Sequence, residues 1–426
     1  MIKKPILAFL LSITLSLFLV SCASTSAMVK DPVVTDTTTD LPYKLQALDF
    51  PSARLRDIQV FYEGDEWLEA VTEYVKNAQS YIFISSFLVS ECDENQIFFE
   101  ALAEKAKEGV KIYFFYDSAG DVDMTESKYH MRSIEYLREE GVHLFKYNPF
   151  SLDRLATGTK MLIREHRKQV IIDGHTVMTG GMNFNYMSDI SSTDKGQRDS
   201  MYIFESPEVA KILSKQFMEI WNTYSWEEIE ALPSAVEVSY PEEGWINAWV
   251  VNQREDKLIM PSLFGSLFSS AKEEILCLPL LPLLNSDMKE AIKNATERGV
   301  EFSIILPNDP RPLNFKAAHY SVKDLQEAGI TVLSEKALYN TENLLHEKLL
   351  VVDTRYTVIG SVNLNYRSMA LSNEIAIVID DSEFASFVRS HFMDLAEDTI
   401  VLSEDLADQW RSFSGLISFL IAMMAG

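Results

Sequence analysis

Short apolar runs alternate along this chain with amphipathic stretches, and the alternation occurs twice in the same order. Residues 78–85 pass from a helix end into an apolar strand, residues 99–109 carry helical periodicity closed by Gly109, and residues 110–116 form a second apolar strand. Residues 271–278, 289–299 and 300–306 repeat that series, with Gly299 in the place of Gly109. A further helix, glycine and strand continue the match at residues 136–142 and 324–330, as do strand and helix at 199–218 and 374–393. Strands this apolar belong to sheets covered on both faces. The pattern predicts a duplicated α/β chain, two α/β/α sandwiches at residues 46–235 and 236–405 related by a pseudo-twofold. An apolar helix is expected at residues 406–426, placed in a membrane interface, lining an acyl pocket or packed on its own domain.

The N-terminus breaks this pattern. Lys3 and Lys4 precede an apolar run at residues 5–20, which reads as an export signal over residues 1–21. The run ends in the string LVSC, similar to a bacterial lipobox, which makes Cys22 the expected lipidated N-terminus. Residues 22–45 then read as that lipidated end and a flexible tether. The expected location is an exported lipoprotein on the cell-envelope membrane. Cys92 and Cys277 are expected as buried free thiols.

Composition narrows the partners. Lys and Arg number 38 against 63 Asp and Glu, a formal charge of −25. Such a field repels nucleic acid, so no nucleic-acid partner is expected, although a local basic pocket can hold one phosphate.

The candidate chemistry lies in two strings, HRKQVIID at residues 166–173 and HEKLLVVD at residues 346–353, each followed by a Gly-Gly/Ser-x-Asn segment. His346 lies 180 positions after His166, and Asn363 lies 180 after Asn183. In an extended segment, residues two apart project to one side, so His166 with Lys168 and His346 with Lys348 each aim at one spot. A twofold interface sets the two pairs facing each other, in a monomer that is an internal pseudo-dimer.

Two imidazoles and two ammoniums supply what phosphodiester chemistry requires. One His attacks phosphorus to form a phosphohistidine, and the other protonates the leaving alcohol and then activates the acceptor. Lys168, Lys348, Asn183 and Asn363 bind the non-bridging oxygens. No cofactor or metal is expected, because each Lys competes with a cation for the same spot. Asp173 and Asp353 fall at odd spacing from their His and read as turn residues. Asp199 and Glu374, matched acids opening matched strands, are better placed to orient the imidazoles.

At these residues the chain resembles the phospholipase D superfamily, over most of residues 46–400. The strings REHRK (164–168), GGMN (180–183) and YRSMALSNE (366–374) are most similar to bacterial cardiolipin synthases. The resemblance implies phosphatidyl transfer through a phosphohistidine, with the first-half His as nucleophile and Asp199 and Glu374 as His partners. Two departures bear on acceptor choice: LPLLP (278–282) stands where the family often has Tyr-Phe-x-Pro, and Gln197-Arg198 stands where an aromatic often precedes the acid. The expected function is a phospholipase D or phosphatidyltransferase on membrane phospholipid. The alternatives are an exported phosphodiesterase or nuclease of the same superfamily, and an inactive lipid-binding surface lipoprotein.

Overall fold

The computed structural model describes residues 37–149, 162–194, 196–309, 311–335 and 344–425. The expected signal peptide and Cys22 lie outside the described residues. Helix α1 (Leu41–Ala47) precedes β1 (Ser52–Phe61), α2 (Gly64–Asn77), β2 (Tyr81–Ser86), α3 (Gln96–Lys107), β3 (Lys111–Asp117) and β4 (His143–Tyr147). Then come β5 (Arg164–Glu165), β6 (Gln169–Ile172), β7 (Thr176–Gly180), α4 (Tyr186–Asp189), β8 (Met201–Glu205) and α5 (Pro207–Tyr224).

The second half repeats the order with β9 (Ile246–Gln253), α6 (Met260–Ser270), β10 (Glu274–Leu278), α7 (Ser286–Glu297), β11 (Glu301–Leu306), α8 (Pro312–Glu327) and β12 (Ile330–Glu335). It continues through β13 (Leu349–Val352), β14 (Tyr356–Gly360), α9 (Tyr366–Ala370), β15 (Ser372–Asp380) and α10 (Ser382–Glu397). The chain ends with β16 (Thr399–Val401), α11 (Glu404–Trp410) and α12 (Phe413–Ala425).

The two sandwiches share one sheet. Its order is β16-β12-β11-β10-β13-β14-β15-β9-β1-β8-β7-β6-β2-β3-β4, so the halves meet where β1 and β9 pair antiparallel, Ser52 opposite Trp249 and Leu55 opposite Ile246. On either side of that seam the strands follow in corresponding order, which is the pseudo-twofold. Along this path β2-β3-β4 and β10-β11-β12 run parallel; the motif strands form antiparallel hairpins, β6 with β7 and β13 with β14.

Both sheet faces are covered. Helices α5 and α10 lie over one continuous core that crosses the seam, from Phe83 and Phe217 to Ile377 and Phe392. The opposite face divides into a core under α2 and α3 and another under α6, α7 and α8. Helix α1 begins within the stretch expected to be tether and runs two residues past it. Leu41 and Leu45, one helical turn apart, bury into the second-half core, and Lys44 donates to Ser269 and Ser270 at 2.9 Å. Two leucines spaced for one helix face outweigh the polar composition before them.

Asp173 and Asp353 sit in the β6–β7 and β13–β14 turns, with φ of 55° and 53°, a left-handed conformation that Asp tolerates better than most residues. Their carboxylates tie each hairpin to the start of a parallel strand. Asp173 accepts the N–H groups of Gln79, Ser80 and Tyr81 at 2.7–3.0 Å; Asp353 accepts those of Lys272, Glu273 and Glu274 at 2.8–3.2 Å. Asp173→Ala leaves three amides without their acceptor. At about 1 kcal/mol each, the low end for an unmet group because water can reach two of them, the loss is about 3 kcal/mol. Urea denaturation should show it as a lowered midpoint at unchanged slope; a variant as stable as the parent would contradict this role.

Candidate active site

His166 and Lys168 lie in an extended segment between β5 and β6, and His346 and Lys348 lie in the matching segment before β13. These segments are outside the main ladder, and each pairs with the other half. Strand β5 runs parallel to the start of β15, with Arg164 N–H donating to Leu371 C=O and His166 N–H to Asn373 C=O, both at 3.1 Å. Reciprocally, Arg198 N–H donates to Leu344 C=O at 3.0 Å and His346 N–H to Arg198 C=O at 2.7 Å. Asn373 precedes Glu374 and Arg198 precedes Asp199, so the exchange seats each His beside the acid of the opposite half.

The side chains follow. His166 Nδ1 lies 3.0 and 3.1 Å from the two Glu374 oxygens, and His346 Nδ1 hydrogen-bonds Asp199 Oδ2. A carboxylate on Nδ1–H leaves the lone pair on Nε2, where a nucleophile or base needs it. Both lysines turn back onto their own motif, Lys168 Nζ to His166 C=O and Lys348 Nζ to His346 C=O at 2.7 Å. Lys348 Nζ is also 3.2 Å from Asp199 Oδ2 and 2.8 Å from His346 Nδ1.

The two acids are held differently. Glu374 accepts the hydroxyls of Ser361 at 2.5 Å and Ser368 at 2.7 Å, whereas Asp199 accepts the Ser200 N–H at 2.8 Å. Gly181 occupies the position matching Ser361. A Cβ there would stand 1.9 Å from Asp199 Oδ1, so the glycine gives that carboxylate its room. Around the motif, a buried scaffold fixes β5. Arg164 donates to Asp117 at 3.0 Å, and Arg167 grips Glu165 at 2.5 Å while donating to Asn252 of β9 at 2.7 Å.

Asn183 and Asn363 are buried. Asn183 Oδ1 accepts the Leu88 N–H at 3.0 Å, which leaves its NH₂ group as what it can offer an anion. Asn363 Oδ1 has no hydrogen-bond partner among the described residues, and its backbone N–H donates to Ser368 Oγ at 3.1 Å. Asp173 and Asp353 stand at the far ends of β6 and β13, away from this cluster.

Several contributors escaped the sequence reading. Phe87, in the loop after β2, places its ring 5.4 Å from the His166 ring and 5.4 Å from Lys168 Nζ. Its position just past the end of a buried parallel strand is the available signal. Neither Ser361, which after Gly360 reads as turn chemistry, nor Ser368, inside α9, is marked by its spacing as a partner of Glu374.

Burial governs the electrostatics. It carries the His166 imidazole down to about 4 despite Glu374, and burial together with Lys348 does the same to His346. Both rings are therefore neutral near pH 7. Burial, then the nearby Lys348 charge, pulls the Lys168 ammonium down to about 7, and burial lowers Lys348 as well. Burial pushes Asp199 and Glu374 up, but Lys348 and His346 around the first, and His166 and Lys168 around the second, outweigh it and leave both carboxyls below their usual values. Two cations thus crowd one buried place, an arrangement that an incoming anion relieves.

The family profile described as "Cardiolipin synthase, PLD-like domain" matches residues 71–221 and 265–396, one segment in each half. The chain belongs to the phospholipase D superfamily. This phospholipase D-like enzyme is 27% identical over 369 residues to probable cardiolipin synthase YwiE of Bacillus subtilis, covering 85% of this chain and 70% of that protein. It is 30% identical over 348 residues to cardiolipin synthase A of Proteus mirabilis, covering 77% and 67% respectively. Its fold is similar to that of phosphatidylserine synthase from Haemophilus influenzae, with a TM-score of 0.67 at 14% identity, covering 90% of this chain and 99% of that one.

Anion binding at this phospholipase D site should depend on pH through Lys168. The ammonium is charged below about pH 7 in the empty site and loses its proton above it, so an anion binds more weakly as pH rises. Sulfate, a dianion throughout, should lose roughly tenfold in affinity per pH unit above pH 7, with proton uptake on binding in calorimetry. Lys168→Met should bind weakly and flatten the profile. A flat profile for the unmodified protein would contradict the assignment.

Proposed function

We propose that this enzyme is a phosphatidyltransferase of the cardiolipin synthase type, acting on membrane phospholipid through a phosphohistidine. The observation that carries the reading is the convergence of both His-Lys pairs on one place, each His backed by a carboxylate from the opposite half. The cardiolipin synthases to which the chain is similar support the substrate class.

In the first step, Nε2 of His166 attacks phosphorus of a phospholipid such as phosphatidylglycerol, forming the N–P bond as the P–O bond to the headgroup alcohol breaks. His346 gives its proton to the departing oxygen. With both imidazoles neutral in the empty site, that proton is taken up as the phosphodiester anion enters and makes the cationic ring favourable. In the second step, His346 removes the proton of an acceptor hydroxyl, whose oxygen attacks phosphorus and releases His166. A second phosphatidylglycerol as acceptor gives cardiolipin; water gives phosphatidic acid. Lys168, Lys348 and the amides of Asn183 and Asn363 hold the non-bridging oxygens, where negative charge gathers in the transition state. Glu374 and Asp199 fix the tautomers and stabilise each imidazolium as it forms.

Lipidation at Cys22, after removal of residues 1–21, would place this site at an envelope membrane. The acidic charge, −25 overall, weighs against a polyanionic substrate such as DNA. The full-length protein incubated with phosphatidylglycerol, with and without ethanol, separates the outcomes by mass spectrometry of the products. Cardiolipin or phosphatidylethanol is the expected result. Phosphatidic acid alone would make the enzyme a hydrolase, and the absence of turnover would overturn the reading. His166→Ala and His346→Ala should each reduce turnover at least about 10³-fold, with intermediate labelling lost in His166→Ala; a near-normal rate from either would refute the two-histidine mechanism.

A further inference from the structure

Helix α12 has an apolar outer face that no described residue covers. Its thirteen residues, FSGLISFLIAMMA, contain no charge. Gly415, Phe419 and Ala422 face inward: the Phe419 ring lies 5.5 Å from Tyr320, and Ala422 buries among Leu281, Leu283, Ala317 and Ala318. Phe413, Ile417, Leu420 and Ile421, spaced four, three and one apart, form the other stripe. Phe413 is 80% exposed and Ile421 45%, with Ile417 and Leu420 half-buried between them. A surface helix ordinarily presents polar residues there.

The helix that bears the stripe packs beside the site. Helix α12 packs along α8 and against α9. The Leu283 C=O beneath it accepts the Tyr366 N–H at 2.8 Å, and two residues further along α9 is Ser368, which holds Glu374. Leu313, 37% exposed in the first turn of α8, extends the apolar surface toward the same edge. At 1.5 Å per residue the helix is about 20 Å long, short of the ~30 Å needed to cross a bilayer. None of the described helices is long and apolar enough to cross a membrane.

We propose that the outer stripe of α12 lies in the acyl region of one phospholipid leaflet and sets the mouth of the site at headgroup level. A leaflet fits better than a protein partner for two reasons. The helix that bears the stripe packs beside a site proposed to take phospholipid, and it carries no charged group with which a protein partner could fix orientation. With a net charge of −25, the chain gains no general attraction to an anionic bilayer, so beyond the proposed lipid anchor the folded body's contact has to come from apolar burial. The inference rests on the lipid-substrate reading for its purpose, but its test does not require turnover.

In the full-length chain carrying Cys22→Ser, Ile421→Cys provides the accessible thiol for an environment-sensitive fluorophore, since Cys92 and Cys277 are buried. Glu139→Cys, exposed just before β4, is the control on the opposite end of the strands. With phosphatidylglycerol vesicles, the label at 421 should brighten severalfold and be quenched by lipids brominated along the acyl chain, while the label at 139 should not respond. Equal responses, or no quenching at 421, would overturn the proposal whether or not the protein turns lipid over. In a turnover assay, Phe413→Ser combined with Ile421→Ser should reduce the rate on vesicles at least about tenfold and leave the rate on dispersed dihexanoyl phosphatidylglycerol within twofold. Equal loss on both substrates at unchanged thermal stability, or no loss on either, would count against it.

Discussion

The architecture depends on an exchange of backbone between the halves. Each His-bearing segment leaves its own ladder and hydrogen-bonds to the residues that lead into the acid of the opposite half: His166 to Asn373, and His346 to Arg198. In a polypeptide with a twofold repeat, one such contact implies the other, so a single geometric solution builds both halves of the site. The β1–β9 seam fixes the distance between the halves, and the core that crosses it beneath α5 and α10 keeps them from moving independently. Removing either half leaves a His without its carboxylate and a carboxylate without its His.

Placing two lysines and two histidines in one buried region is electrostatically costly, and among the described residues only Asp199 and Glu374 contact them with opposite charge. The resulting balance leaves the imidazoles neutral and the Lys168 ammonium close to releasing its proton. A site in this state is incomplete without an anion. In the proposed reaction, phosphate would supply the missing negative charge and, by favouring protonation of its neighbours, would prepare the acid that the leaving group needs. The two halves have also diverged at this point: Gly181 makes room for Asp199, whereas Ser361 donates to the longer Glu374. That difference gives two chemically distinct imidazole environments within one pseudo-symmetric frame.

Much of this was legible in the sequence. Strand and helix periodicities located the duplicated elements, and the matched register of His166 with His346 and Asn183 with Asn363 implied one site from two halves. Parity along an extended chain separated Asp173 and Asp353 from the imidazoles, and the structure places both in turns, where they collect backbone amides. The crossed assignment of acids was not legible. Nothing local distinguishes Asp199 serving His166 from Asp199 serving His346, because that choice depends on hydrogen bonds between segments far apart in sequence. Helix α1 was obscured by the polar stretch before it, and Phe87 by the irregular loop that carries it.

The crossed pairing itself can be read directly by nitrogen-15 NMR of protein labelled at its histidines. Asp199→Asn should shift the ring nitrogens of His346 and leave His166 where it was, and Glu374→Gln should do the reverse. If each acid instead perturbed the histidine of its own half, the two halves would hold separate sites and the shared centre described above would be wrong.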